Sequence, residues 1–171
     1  RGLGDVYRDR AGAGMRYRAL SEPSHPAQMW TDRPVRMTSA EAFAAVALAA
    51  VACDGTLGRD EAHALRRQLE NRSLYTSCSE AAMGELFDRL LTLLRENGVA
   101  GLIDSAVPAL NQSQQESALA VAAHLVHADR KVTREESEFL QRLTEQLNLP
   151  SGEAQMIIRS IEALNRDSLD S

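Results

Sequence analysis

Cysteine is scarce in this chain, with only Cys53 and Cys78 among 171 residues. Two thiols make neither a disulfide framework nor a zinc pattern, and they read as reduced thiols of a cytoplasmic protein. Long apolar runs are missing as well. The most apolar stretch, Ala42 to Cys53, is twelve residues of mostly alanine, well short of the roughly 20 that cross a bilayer, and it reads as a central buried helix. An excess of basic charge is absent too. Nineteen Lys and Arg face 24 Asp and Glu, for a formal net charge of −5. Residues 1–36 carry seven Arg against Asp5, Asp9, Glu22 and Asp32, so the remainder is more acidic still. Such a body disfavours nucleic acid, whose affinity rests on Lys and Arg neutralising phosphates, and it suits cations or basic partners. Catalytic signatures are also lacking. No HExxH, glycine-rich phosphate loop or activated nucleophile accompanies the carboxylates, so the chain is expected not to be an enzyme.

What is present divides at about residue 37. Residues 1–37 hold Gly2, Gly4, Gly12, Gly14, Pro23, Pro26 and Pro34 without sustained periodicity, the composition of an extended, Arg-rich arm. Tyr7, Tyr17 and Trp30, three of the seven aromatics, lie there, and aromatics are unusual in segments that merely stay solvated. Part of the arm is therefore expected to dock, on its own domain or on a protein partner. The chain opens at Arg1 rather than Met, which reads as a processed or trimmed product, and the acids of its first segment argue against a retained presequence.

From Thr38 onward the pattern is helical. Thr38 and Glu41 form a capping-box pair, and helix one runs to about Cys53. A second helix, about Arg59 to Asn71, places Ala62, Leu65 and Leu69 on one face. A third runs from Ser77 or Ser79 through Met83, Leu86, Phe87, Leu90, Leu91 and Leu94 to a stop at Asn97-Gly98. A short helix follows over Gly101 to Leu110, then Ser113 to Ala128, Thr133 to Leu147 and Ser151 to Leu164. No segment alternates with period two. The expectation is an all-α domain over residues 38–171, about seven helices in two related halves.

The halves are visible as a repeat. Glu41 to Arg67 slides onto Glu116 to Arg142 without a gap, with identities that include Glu41/Glu116, Asp54/Asp129, Arg59/Arg134, Glu61/Glu136 and Arg67/Arg142. Each copy ends one helix with an Asp and opens the next with a Glu seven positions on. Turn chemistry accounts for part of this. Gly55 sits where a left-handed residue is wanted, Leu57 and Val132 are placed to plug the turn, and Thr133 with Glu136 spells a capping box. Two observations point to a ligand instead. Asp54 and Asp129 fall at helix C-termini, where the macrodipole disfavours negative charge, and Asp60 and Glu135 add further acid alongside. If the halves pack about a pseudo-twofold axis, Asp54, Glu61, Asp129 and Glu136 converge and require a cation, for which hard oxygen donors favour Ca²⁺, Mg²⁺ or Mn²⁺ over Zn²⁺. The capping and cation readings both remain open at this point.

The two A-x-D-G-x-(L/V)-x-x-x-E-like units resemble the tellurite-resistance TerB family, including the TerB-like domains found beside J-domains, over roughly residues 39–165. The resemblance implies an all-helical fold of two similar halves with an acidic surface for metal ions. It also implies a stress-response role as a binding or scaffold protein. Matched residue by residue, the metal-binding acids are Asp54, Glu61, Asp129 and Glu136. The chain departs from the pattern at Arg130, which replaces the second glycine, and at Gly58, which replaces a Ser or Thr cap.

Other groups carry weaker signals. His124 and His127 lie three apart and with His63 make a candidate transition-metal set, or are ordinary histidines. Cys53 reads as a small core residue. The expected function is a cytoplasmic, non-enzymatic scaffold binding a divalent cation through duplicated acidic turns. The alternative is a helical adaptor that docks through residues 1–37, its acids serving only as caps. Homo-oligomerisation is a further reading, since Met83, Leu86, Phe87, Leu90 and Leu94 suit a core or an interface.

Overall fold

The computed structural model describes residues 36–166 apart from Thr56, Asp129 and Arg130, and for Arg59 the backbone alone. The expected arm up to residue 35, with Tyr7, Tyr17 and Trp30, therefore lies outside the described residues, as do Asp129 and Arg130.

Among the described residues the chain forms six α-helices and two short 3₁₀ turns, with no strand. Helix α1 (Ser39–Ala52) starts where the sequence says it should. The Thr38 hydroxyl accepts from the Glu41 amide at 3.1 Å, and the Glu41 carboxylate accepts from the Thr38 amide at 2.9 Å. Every residue from Ala42 to Ala50 is buried. A helix apolar all round can only be central, and its alanines let neighbouring backbones approach closely. Helix α2 (Arg59–Leu69) follows and buries Ala62, Leu65 and Leu69.

Helix α3 (Glu80–Ala106) is capped by the Ser79 hydroxyl, which accepts from the Ala82 amide. It buries Met83, Phe87 and Leu90, with Leu86, Leu91 and Leu94 partly buried against the same core. That stripe serves the core of this chain. Gly98, with φ +74° and ψ 178°, kinks α3, and helix resumes directly beyond it. The expected stop at Asn97-Gly98 is thus a bend between two stretches, and counting them separately gives the seven segments expected. A 3₁₀ turn at Val107–Ala109 carries Pro108.

The second half repeats the first. Helix α4 (Gln112–His127), capped reciprocally by Asn111 and Gln114, is followed by α5 (Arg134–Gln146) and α6 (Glu153–Asn165). The ends at Ala52 and His127, and the starts at Arg59 and Arg134, share the offset of the sequence repeat. Helix α1 packs mainly on α3 and on α4, and α4 packs on α6. Each half thus sets its first helix against its third, and the two first helices meet at the centre. Burying Leu48 and Val46 of α1 and Leu119 and Val126 of α4 contributes about 1.5–3 kcal/mol each.

Polar ties lock the connections. Gln115, the buried polar side chain of the described core, donates from Nε2 to the Leu110 carbonyl at 3.0 Å and accepts from the Asn148 amide at 2.8 Å. One side chain so fixes the entry to α4 and the exit from α5. Tyr75 donates its hydroxyl to the Ala40 carbonyl at 2.7 Å, holding the Ser73–Tyr75 turn against α1. The repeat-related glutamates find opposite surroundings: Glu41 pairs with Arg89, whereas Glu116 hydrogen-bonds to Glu153 and raises the Glu153 carboxyl above its ordinary range.

Candidate metal centre

The first acidic turn begins at Cys53, the C-cap of α1. Asp54 comes next and is partly buried, and Gly55 takes φ +83° as the reversal requires. The Gly55 amide donates to the Ala52 carbonyl at 2.9 Å, closing the turn. A side chain at Gly55 would meet nothing within 4 Å, so its glycine is needed for backbone conformation and not for room. Leu57 returns to pack against the core as a plug.

Glu61 lies at the third position of α2 and accepts from the Gly58 amide at 2.8 Å. Since Gly58 has no side chain, only this half of a capping box exists. Its counterpart is complete: Glu136 accepts from the Thr133 amide at 2.9 Å, and the Thr133 hydroxyl accepts from the Glu136 amide at 3.1 Å. Both glutamates are therefore engaged as caps through one carboxylate oxygen, Oε1. The second-half plug differs from expectation. Val132 is 38% exposed and lies outside the buried core, at the rim of a cleft that it lines together with His127, the residue at the position Ala52 holds in the first half.

The Cys53 thiol reports how the two halves meet. It donates to the Ala50 carbonyl at 3.2 Å, and its pKa is pushed up to about 12. Burial is the largest cause, followed by the negative charges of Glu136, Asp54 and Glu135. Glu136 and Glu135 belong to the second copy and Asp54 to the first, so the start of α5 stands close enough to the end of α1 for their charges to act on one sulfur. Asp54 and Glu136 thus both bear on Cys53, while Asp129 lies outside the described residues. Hard carboxylate oxygens suit a divalent cation. Among the described residues, however, no group of three or more His, Cys, Asp or Glu is arranged to hold a metal ion. The described acids alone do not make a complete coordination shell.

A family model described as tellurite resistance protein TerB matches residues 40–159. The chain belongs to the TerB family. No curated protein and no solved structure matches it. The matched span runs from α1 into α6, so both halves and both acidic turns of this TerB domain fall inside it. No helix among the described residues is long and apolar enough to cross a membrane.

The TerB domain also has features that the sequence did not announce. His63, His124 and His127 form no metal set: Asn165 reaches His124 Nδ1 at 3.2 Å, and His127 donates from Nδ1 to the Ala123 carbonyl at 2.8 Å. That bond turns Nε2 of His127 toward Glu162, 3.4 Å away. The pair lies in a cleft of about 450 Å³ that also takes in Ser137, Gln141 and Thr144. Glu162 carried no signal beyond its place on an amphipathic helix. A wider cleft of about 840 Å³ runs between the first acidic turn, at Gly55, Leu57 and Gly58, and α3 from Asp88 to Val99.

Proposed function

We propose that this TerB domain is a non-enzymatic, stress-response binding module that takes a divalent cation at its acidic turns and presents the loaded surface to protein partners in the cytoplasm. The observation that supports it is that the charges of Glu136 and Glu135, from the second motif copy, and of Asp54, from the first, all raise the Cys53 thiol. Like charges brought together lose stability unless something offsets them, and a cation with hard oxygen ligands does so. Asp54 and Glu136 are the proposed ligands nearest the Cys53 turn, with Glu61 and Asp129 as their repeat-related counterparts. Few carboxylates and no complete cluster imply modest affinity, with a Kd on the order of 10⁻⁴ M. At a hundredfold excess over Kd, the cation stabilises the fold by about 2.7 kcal/mol. Thermal unfolding with and without Ca²⁺, Mg²⁺ and Mn²⁺ measures this directly. The melting temperature rises with metal in the parent chain and stays fixed in Asp54→Asn and Asp129→Asn if the reading holds. A rise of equal size in both variants contradicts it.

The capping geometry favours a second reading. Glu61 and Glu136 each accept from an N-cap amide, and caps worth about 0.5–2 kcal/mol explain such residues without a ligand. On that reading the domain is a helical adaptor that recruits partners through residues 1–37. Deleting those residues then abolishes partner capture, and metal leaves stability unchanged.

A further inference from the structure

The bend in α3 carries chemistry of its own. Asn97 and Gly98 are both exposed, and Gly98 adopts φ +74°, ψ 178°, a conformation essentially confined to glycine. We infer that Asn97 is a site of spontaneous deamidation, in which the Gly98 backbone nitrogen attacks the Asn97 side-chain amide and converts it to aspartate and isoaspartate. In the first step the Gly98 N to Asn97 Cγ bond forms and the Cγ to Nδ2 bond breaks. The Gly98 amide proton leaves with that nitrogen as ammonia, so a five-membered imide remains. Water then opens the imide at either carbonyl, and no oxidant or cofactor takes part.

Three features of the fold permit the attack. A regular helix holds asparagine and the residue after it in one fixed conformation, and in α3 the residue after Asn97 departs from helical φ and ψ. Space is available, since a Cβ at Gly98 would meet nothing within 4 Å, and at Gly101, one turn on, a Cβ would come within 2.6 Å of Asn97 Cβ. Glycine at position 101 spares the Asn97 side chain that contact. Water has access, because Gly98 and Val99 line the 840 Å³ cleft. None of the other asparagines, Asn71, Asn111, Asn148 and Asn165, precedes a glycine. Conversion places a new carboxylate at the cleft edge and, in the isoaspartyl form, one more backbone carbon at the bend.

The test is peptide mapping by mass spectrometry of the folded chain held at mildly alkaline pH, beside the same chain in denaturant and an Asn97→Gln variant. The expected result is aspartate and isoaspartate at position 97 accumulating several-fold faster than at any other asparagine. The folded chain should convert at a rate close to that of the denatured one. A more acidic species should appear on ion exchange in parallel and be absent from Asn97→Gln. Conversion of the folded chain many-fold slower than the denatured chain, or no faster than at Asn71, overturns the inference.

Discussion

Glu136 has two separable tasks, as a hydrogen-bond acceptor for the Thr133 amide and as a negative charge beside Cys53. Two substitutions pull them apart. Glu136→Gln keeps an oxygen that can accept from the Thr133 amide, as glutamine does in other capping boxes, and removes only the charge. Its loss of charge at the N-terminus of α5 costs about 0.3–1 kcal/mol. Glu136→Ala removes the cap bond as well, worth a further ~0.5–1.5 kcal/mol. At about 2–4 °C per kcal/mol for a chain of this length, the alanine variant melts several degrees below the glutamine variant. The second readout is the Cys53 thiol, followed by pH-dependent alkylation in a Cys78→Ser background. Glu136 is the leading charge that raises its pKa, so both variants lower the titration midpoint, and by similar amounts. Equal melting temperatures for the two variants would refute the cap. An unmoved Cys53 midpoint in both would refute the approach of α5 to the first acidic turn, and with it the composite site.

Other outcomes follow from the same structure. Replacing Gln115 by Leu leaves the Leu110 carbonyl and the Asn148 amide without their partner; the cost is about 2–4 kcal/mol, and chemical denaturation measures it. Gly98→Ala forces a side chain into a glycine conformation and costs about 1–3 kcal/mol, although open space surrounds the site; a stability equal to the parent's shows that the kink is not held in the native state. The folded chain binds the Cys53 proton more tightly than the unfolded chain, so this contribution is intact below pH 9.0 and declines as pH rises toward about 12. Burial raises Tyr75 as well, which acts in the same direction. Cys53→Ala flattens the pH dependence of unfolding over that window.

Local signals in the sequence carried far where the structure depends on them. The caps at Thr38 and Thr133, the face of α2 and the stripe of α3 all follow from residues within one or two helical turns of each other, and periodicity reads such spacing directly. The repeat fixed the matching ends of α1 and α4. Where the outcome hung on residues distant in sequence, the pattern was silent. Gly98 announced a break in φ but not that helix would resume at once on the far side. Val132 matches Leu57 in position, yet it stays exposed at the rim of a cleft whose other walls, with Leu140, Ile158 and Glu162, come from α5 and α6. Gln115 reads as an ordinary polar residue in a first turn, and its two hydrogen bonds reach the ends of separate connections. The joint action of Glu136 and Asp54 on Cys53 could be framed only as a consequence of symmetry, since nothing near either residue encodes it.

The central claim is that acids from the two motif copies act together on one cation. Isothermal titration of chelator-stripped protein with Ca²⁺, Mg²⁺ and Mn²⁺, repeated on Asp54→Asn and Glu136→Gln, measures it most directly. The account predicts saturable binding in the parent chain that is lost in Asp54→Asn and weakened in Glu136→Gln, although these residues belong to different halves. Absence of binding through millimolar metal, or binding that both variants retain in full, contradicts it.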